Sequence, residues 1–215
     1  MFKNTNHIML AIWALLLVAG LAAFGFARWE LAFVSLTTLG LSLIPPMLAS
    51  RWSLTLPVPF LFATTLFLFA SIFLGEAFDF YERLWWWDLA LHGAASVGFG
   101  LTGFLFVFML FEGDRFAAPP SAIAFITFCV AMTMGAIWEV FEFGVDQLFG
   151  LNMQKSGLQD TMSDLMINGL GSATASLTGY LYLVRDTAGV LGHGLSEFIR
   201  LNKRLYQKSR DRLRK

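Results

Sequence analysis

The chain has 215 residues, of which 57% are hydrophobic and only 14% charged, with equal numbers of basic and acidic side chains. A soluble domain carries about 25% charged residues, so this chain lacks the polar groups to cover a water-facing surface. The composition excludes an ordinary soluble enzyme and a nucleic-acid-binding domain, and it predicts an all-α, polytopic transmembrane bundle whose helices are apolar all round.

Six apolar segments follow in chain order, near residues 8–27, 31–48, 56–74, 89–111, 121–149 and 160–184, each about the 20 residues needed to cross the hydrocarbon. The first follows Lys3 and is too long for a cleaved signal core, so it reads as an uncleaved span. The second is the least clean, with Pro45 and Pro46 near its end; Pro57 and Pro59 open the third and Pro119 and Pro120 the fifth. Between the third and fourth lie Trp85, Trp86 and Trp87, three adjacent tryptophans of the kind that sit at a membrane interface. Cys129 lies inside an apolar run and reads as a small buried hydrophobe, so neither a disulfide nor a cysteine zinc site is available. Residues 1–185 form the expected transmembrane domain and 186–215 a basic tail, in which Leu191, Leu195, Phe198, Ile199, Leu201 and Leu205 suggest a helix lying on the membrane surface.

Nine of the fifteen Lys and Arg residues lie in the last 31 positions. The positive-inside rule sends such a tail to the cytoplasm. Six spans then return the N-terminus to the same side, with the Arg51 and Arg115 loops, and leave Arg28, Arg83 and Lys155 outside. The expected location is a bacterial inner membrane with both termini cytoplasmic, lipid as the natural partner and no nucleic acid.

The polar residues on these spans are few and regularly spaced. Asp88 and His92 are one turn apart at the start of the fourth segment. Glu139, Glu142 and Asp146 occupy the end of the fifth, and Asp160, Asp164 and Asn168 are successive i,i+4 steps at the start of the sixth. Each set occupies one face of its helix, and the alternation of the spans brings all three sets to one depth near the outer face. A carboxylate at a span centre costs about 2.5–3.5 kcal/mol, so several together require protonation, basic partners or a cation. Asp88, His92, Glu139, Glu142, Asp164 and Asn168 therefore read as a ligand set for a divalent metal (Mg²⁺, Mn²⁺, Ca²⁺ or Zn²⁺), with Asp160 or Asp146 as a general base. Bland roles compete: Asp88 and Asp160 also suit N-caps, and Gly93, Gly98, Gly100, Gly103, Gly169, Gly171 and Gly179 suit simple helix packing. Three functions fit the pattern: a metal-dependent enzyme acting on an envelope lipid, a proton-coupled permease using the same acids as a relay, and a structural or assembly protein.

The motifs Trp87-Asp88-Leu89-Ala90-Leu91-His92, Trp138-Glu139-Val140-Phe141-Glu142, Asp146, Gln154, Asp160-Thr161-Met162-Ser163-Asp164 and Asn168-Gly169-Leu170-Gly171 resemble the YjdF-like family of uncharacterised bacterial inner-membrane proteins. More distantly they are similar to VanZ-like proteins, which share an Asp-x-x-x-His, a downstream Glu and an Asp-x-x-x-Asn. The resemblance covers residues 87–171, about 40% of the chain. It implies a multispan inner-membrane protein with these polar residues as its signature, and supplies no reaction. Glu142 and Asp146 depart from the VanZ-like pattern, so a role in glycopeptide-type resistance does not carry over.

Overall fold

The computed structural model describes residues 7–111, 118–185 and 189–204. Among these the chain is helical, with no strand. The helices are α1 (His7–Gly25), α2 (Trp29–Arg51), α3 (Val58–Ala77), the short α4 (Phe80–Arg83), α5 (Trp87–Leu110), α6 (Pro120–Phe149), α7 (Leu158–Arg185) and α8 (Gly189–Leu201). Lys3, Arg115, Leu205 and the rest of the basic tail beyond Arg204 lie outside the described residues.

Among the described residues, five helices (α1, α2, α3, α5 and α6) are long and apolar enough to cross a membrane. The sixth expected span, α7, has ample length at 28 residues but is more polar on average. Its polarity is turned inward. Asp164, Asn168 and Ser172 are buried, while Met162, Met166, Leu170, Leu177 and Val184 are exposed. A helix with acids inside and apolar side chains outside suits lipid, where the outer face needs no polar cover.

Pro45 and Pro46 lie near the end of α2, as the sequence places them, and the helix runs on to Arg51. Near the end of α3, residues Phe69–Leu74 form a π-helical stretch, the wider i→i+5 winding that sequence periodicity does not reveal.

The chain divides into two compact units, 1–87 with 200–202 and 88–199 with 203–215. In the first, α1, α2 and α3 pack around Ile12, Leu16 and Phe73. Asn202 there clasps the backbone of Thr55: the Thr55 N–H donates to Asn202 Oδ1 and Asn202 Nδ2 donates to the Thr55 carbonyl, both at 2.8 Å. In the second, Phe104, Val107, Phe108, Ile123, Tyr182 and Leu183 form an apolar core that also takes Leu195 of α8. The apolar face of α8 is thus partly spent on the protein itself, since Leu195 is buried and Ile199 half-buried, while Val190 is exposed.

Small residues set the packing of α5, α6 and α7. Ser96 meets Asn168, Gly100 meets Ala175, and Phe104 meets Gly179 and Tyr182, so positions rise together along α5 and α7. Gly103 meets Val130, Gly135 meets Asn168, and the Ser176 hydroxyl donates to the Ala124 carbonyl at 2.7 Å, so α6 runs against both. The tightest crossing lies between α5 and α7. A methyl placed on Gly171 would sit 2.7 Å from the Gly93 carbonyl oxygen and 2.8 Å from Ser96 Cβ. Only a hydrogen at that position lets the two backbones approach so closely.

Candidate metal centre

The antiparallel course of α6 between two parallel helices brings the start of α5, the end of α6 and the start of α7 to one end of the second unit. His92 is the hub. Its Nε2 lies 3.6 Å from Asp88 Oδ1 and 4.0 Å from Asp164 Oδ2, and its Nδ1 lies 3.6 Å from Glu139 Oε1. Two overlapping triads result: Asp88, His92 and Asp164, and His92, Glu139 and Glu142. Within each, one ligand atom per residue lies within 4.8 Å of the others. That is the spread expected of ligands about 2.0–2.6 Å from one shared ion.

The site is dry. His92, Glu139, Glu142, Asp164 and Asn168 are all buried, and Asp88 is half-buried. Both oxygens of Glu139, Asp164 Oδ2, Asn168 Nδ2 and Ser172 Oγ are buried and make no hydrogen bond of good geometry. Unsatisfied carboxylate oxygens in an apolar interior are costly, and a cation or protons must offset them.

Each remaining predicted residue has a definite place. Asn168 Oδ1 accepts from the Ser96 hydroxyl at 2.6 Å, which ties this amide of α7 to α5. Glu142 Oε1 accepts from Trp138 Nε1 at 2.9 Å, one helical turn away. Asp160 is half-buried in the first turn of α7, and Asp88 lies in the first turn of α5. Neither is the capping residue just outside its helix, so the N-cap explanation does not hold in that form, although an acid in a first turn still suits the helix dipole.

Asp146 does something else. Its two carboxylate oxygens accept the backbone N–H groups of Met153 and Gln154, at 2.7 and 2.8 Å. It therefore folds the α6–α7 loop back onto the end of α6, and Gln154 Nε2 completes the loop by donating to Thr161 Oγ1 at 2.6 Å. Gly150 and Gly157, with φ of +66° and +64°, make the two reversals that this path requires.

Residues 6–185 match the family described as "Predicted membrane protein (DUF2238)". The chain belongs to this family. It is also 31% identical, over 121 residues, to an uncharacterized protein of Thermotoga maritima; the match covers 54% of this chain and 62% of that relative's length. No solved structure matches the chain. The DUF2238 match spans the five apolar helices and α7, and so includes every residue of both triads.

Sequence reasoning missed three supporting residues. Ser96 stands four residues after His92, continuing the ladder begun by Asp88, and Ser172 stands four after Asn168. Gly135 stands four before Glu139, where its lack of a side chain makes room for Asn168. The signal was present in each case as one more i,i+4 step, occupied by a residue too small or too mildly polar to stand out.

Proposed function

We propose that this protein is a divalent-cation-dependent enzyme of the bacterial inner membrane that acts on the head group of an envelope lipid. One observation carries the reading: Asp88 Oδ1, His92 Nε2 and Asp164 Oδ2 converge within one ion's reach, with Asp164 Oδ2 buried and lacking a hydrogen bond. In this reading the cation sits on the Nε2 side of His92. Glu139 faces Nδ1 and orients the ring, as carboxylates commonly do behind a metal-bound histidine. Three protein ligands leave coordination positions open for water and for a phosphate or carboxylate oxygen of the lipid. Asp160, one turn from Asp164 and half-buried, is the base for that water, because Asp146 is engaged by the loop.

The inward polarity of α7 supports its being the sixth crossing, which puts both termini in the cytoplasm and the triads toward the outer leaflet. A proton-coupled permease is the alternative use of the same acids. It is disfavoured because Phe104, Phe108, Ile123 and Tyr182 pack the other half of the second unit with apolar side chains.

The test has two stages. Detergent-purified protein, stripped with chelator, is titrated with Mn²⁺ and followed by electron paramagnetic resonance. We expect one saturable site per chain, absent in Asp164→Asn and His92→Gln and unchanged in Thr102→Val. The protein is then placed in phospholipid vesicles, and release of water-soluble head group is followed by mass spectrometry with and without Mn²⁺. No saturable site in the unaltered protein sinks the metal reading, and a filled site without turnover of any head group sinks the enzyme.

A further inference from the structure

The first unit carries an open groove of about 980 Å³ that includes none of the residues of the acidic triads. Small-molecule sites span about 300–1,000 Å³, so this one is large. Its walls come from the second half of α1, the start of α2 and the end of α3, and include Leu15, Ala19, Val34, Phe69 and Phe73. Ten residues separate Leu15 from Gly25 at the end of α1. At about 1.5 Å each, the apolar part reaches roughly 15 Å below the helix ends. Phe69 and Phe73 belong to the π-helical stretch, a widened winding that often marks a functional site.

The rim is different in kind. It carries Arg28, Glu30, Glu76 and Asp79, flanked by Trp29 and Phe78. Asp79 is ion-paired with Arg83 at 3.5 Å, which leaves one guanidinium and two carboxylates at the mouth. Arg28 immediately precedes α2, whose N-terminus has no side-chain cap, so a phosphate there would meet both the guanidinium and free backbone N–H groups. Ala27 and Asp79, both lining the groove, take left-handed conformations that turn the chain just past the ends of α1 and α3.

We infer that this groove is a binding site for a zwitterionic phospholipid bearing a primary ammonium. Its acyl chain lies along the α1, α2 and α3 walls, its phosphate meets Arg28, and its ammonium meets Glu30 and Glu76. A glycerol head group brings no cation for the two carboxylates, and a serine head group adds a carboxylate beside them. A choline head group brings a cation without N–H donors, whereas a primary ammonium offers three hydrogen bonds.

Native mass spectrometry on protein equilibrated with vesicles of equimolar phosphatidylethanolamine, phosphatidylcholine and phosphatidylglycerol tests this. We expect one retained phosphatidylethanolamine, favoured at least ~10-fold over either competitor, the factor that about 1.4 kcal/mol provides. The double variant Glu30→Gln/Glu76→Gln, exposed positions whose change leaves the fold alone, should lose the preference for ethanolamine over choline. Val34→Trp should lose the retained lipid altogether, with thermal unfolding checking that the bundle is intact. Equal retention of the three lipids, preference for phosphatidylglycerol, absence of any adduct, or a lipid-free dimer with this face occluded would each overturn the inference.

Discussion

Gly135→Ala is the most incisive small change that the structure offers. A methyl at this position would lie 2.6 Å from Asn168 Nδ2, 2.9 Å from Cγ and 3.2 Å from Cβ. Asn168 is only 1% exposed and is held by Ser96, so it has little room to give way. Overpacking of this kind costs about 1–3 kcal/mol, and loss of the Ser96–Asn168 hydrogen bond adds about 0.5–1.5 kcal/mol. Gly144→Ala is the matched control. It lies in the same helix with nothing within 4 Å of the new methyl, and both variants share the gain of about 1 kcal/mol from replacing a helical glycine. The difference between the pair therefore isolates the packing term, near ~3 kcal/mol. At roughly 2–4 °C per kcal/mol for a chain of this size, Gly135→Ala should unfold roughly 6–12 °C below Gly144→Ala in the same detergent. Differential scanning fluorimetry of the tryptophans reads this directly. Equal melting temperatures would show that α6 and α7 do not meet at Gly135 and Asn168, and the shared depth of the triads would lose its support.

Further outcomes follow from other contacts. Asp146→Ala should release the loop that it pins, raising amide exchange at Met153 and Gln154 by about 10- to 100-fold, as expected for charge-assisted bonds worth about 1.5–3 kcal/mol, while Mn²⁺ binding persists; loss of Mn²⁺ binding would return Asp146 to the site. Asn202→Ala removes both bonds to the Thr55 backbone, each worth about 0.5–1.5 kcal/mol, so melting should fall by the equivalent of about 1–3 kcal/mol, and an unchanged melt would count against the clasp. With Cys129 replaced, single cysteines at Met166 and Leu170 should resist a membrane-impermeant thiol reagent in vesicles and react when placed in the 151–157 loop; rapid labelling at Met166 would mean that α7 does not cross the bilayer.

Much of this architecture was legible in the residues. Apolar runs of span length located α1, α2, α3, α5 and α6 to within a few positions, because lipid leaves hydrophobicity as the dominant signal. The acids of α5, α6 and α7 were assigned to one depth from alternation and helical spacing, and the structure gathers Asp88, His92, Glu139, Glu142 and Asp164 accordingly. In the sequence Asp146 reads as a general base and Glu142 as a metal ligand; in the structure Asp146 accepts from a loop backbone and Glu142 from an indole, and the first of these depends on where the chain goes after Phe149. The bond between Asn168 and Ser96, 72 residues away, joins two helices and so leaves no local mark in the sequence. The π-helical stretch of α3 left no trace in its run of Phe, Ala, Ser, Ile and Leu, since such windings arise from packing and not from composition.

The close approach of the Gly93 carbonyl to Gly171 is one tooth of a ratchet between α5 and α7, engaged beside those at Gly100–Ala175 and Phe104–Gly179. The height and heading of Asp164 follow from where Gly171, seven residues further on, meets α5. One residue added between them would swing the acid by about 100° toward the acyl chains, with no side-chain repacking able to bring it back. The stretch from Asp164 to Gly171 therefore cannot change length without turning that carboxylate away from His92.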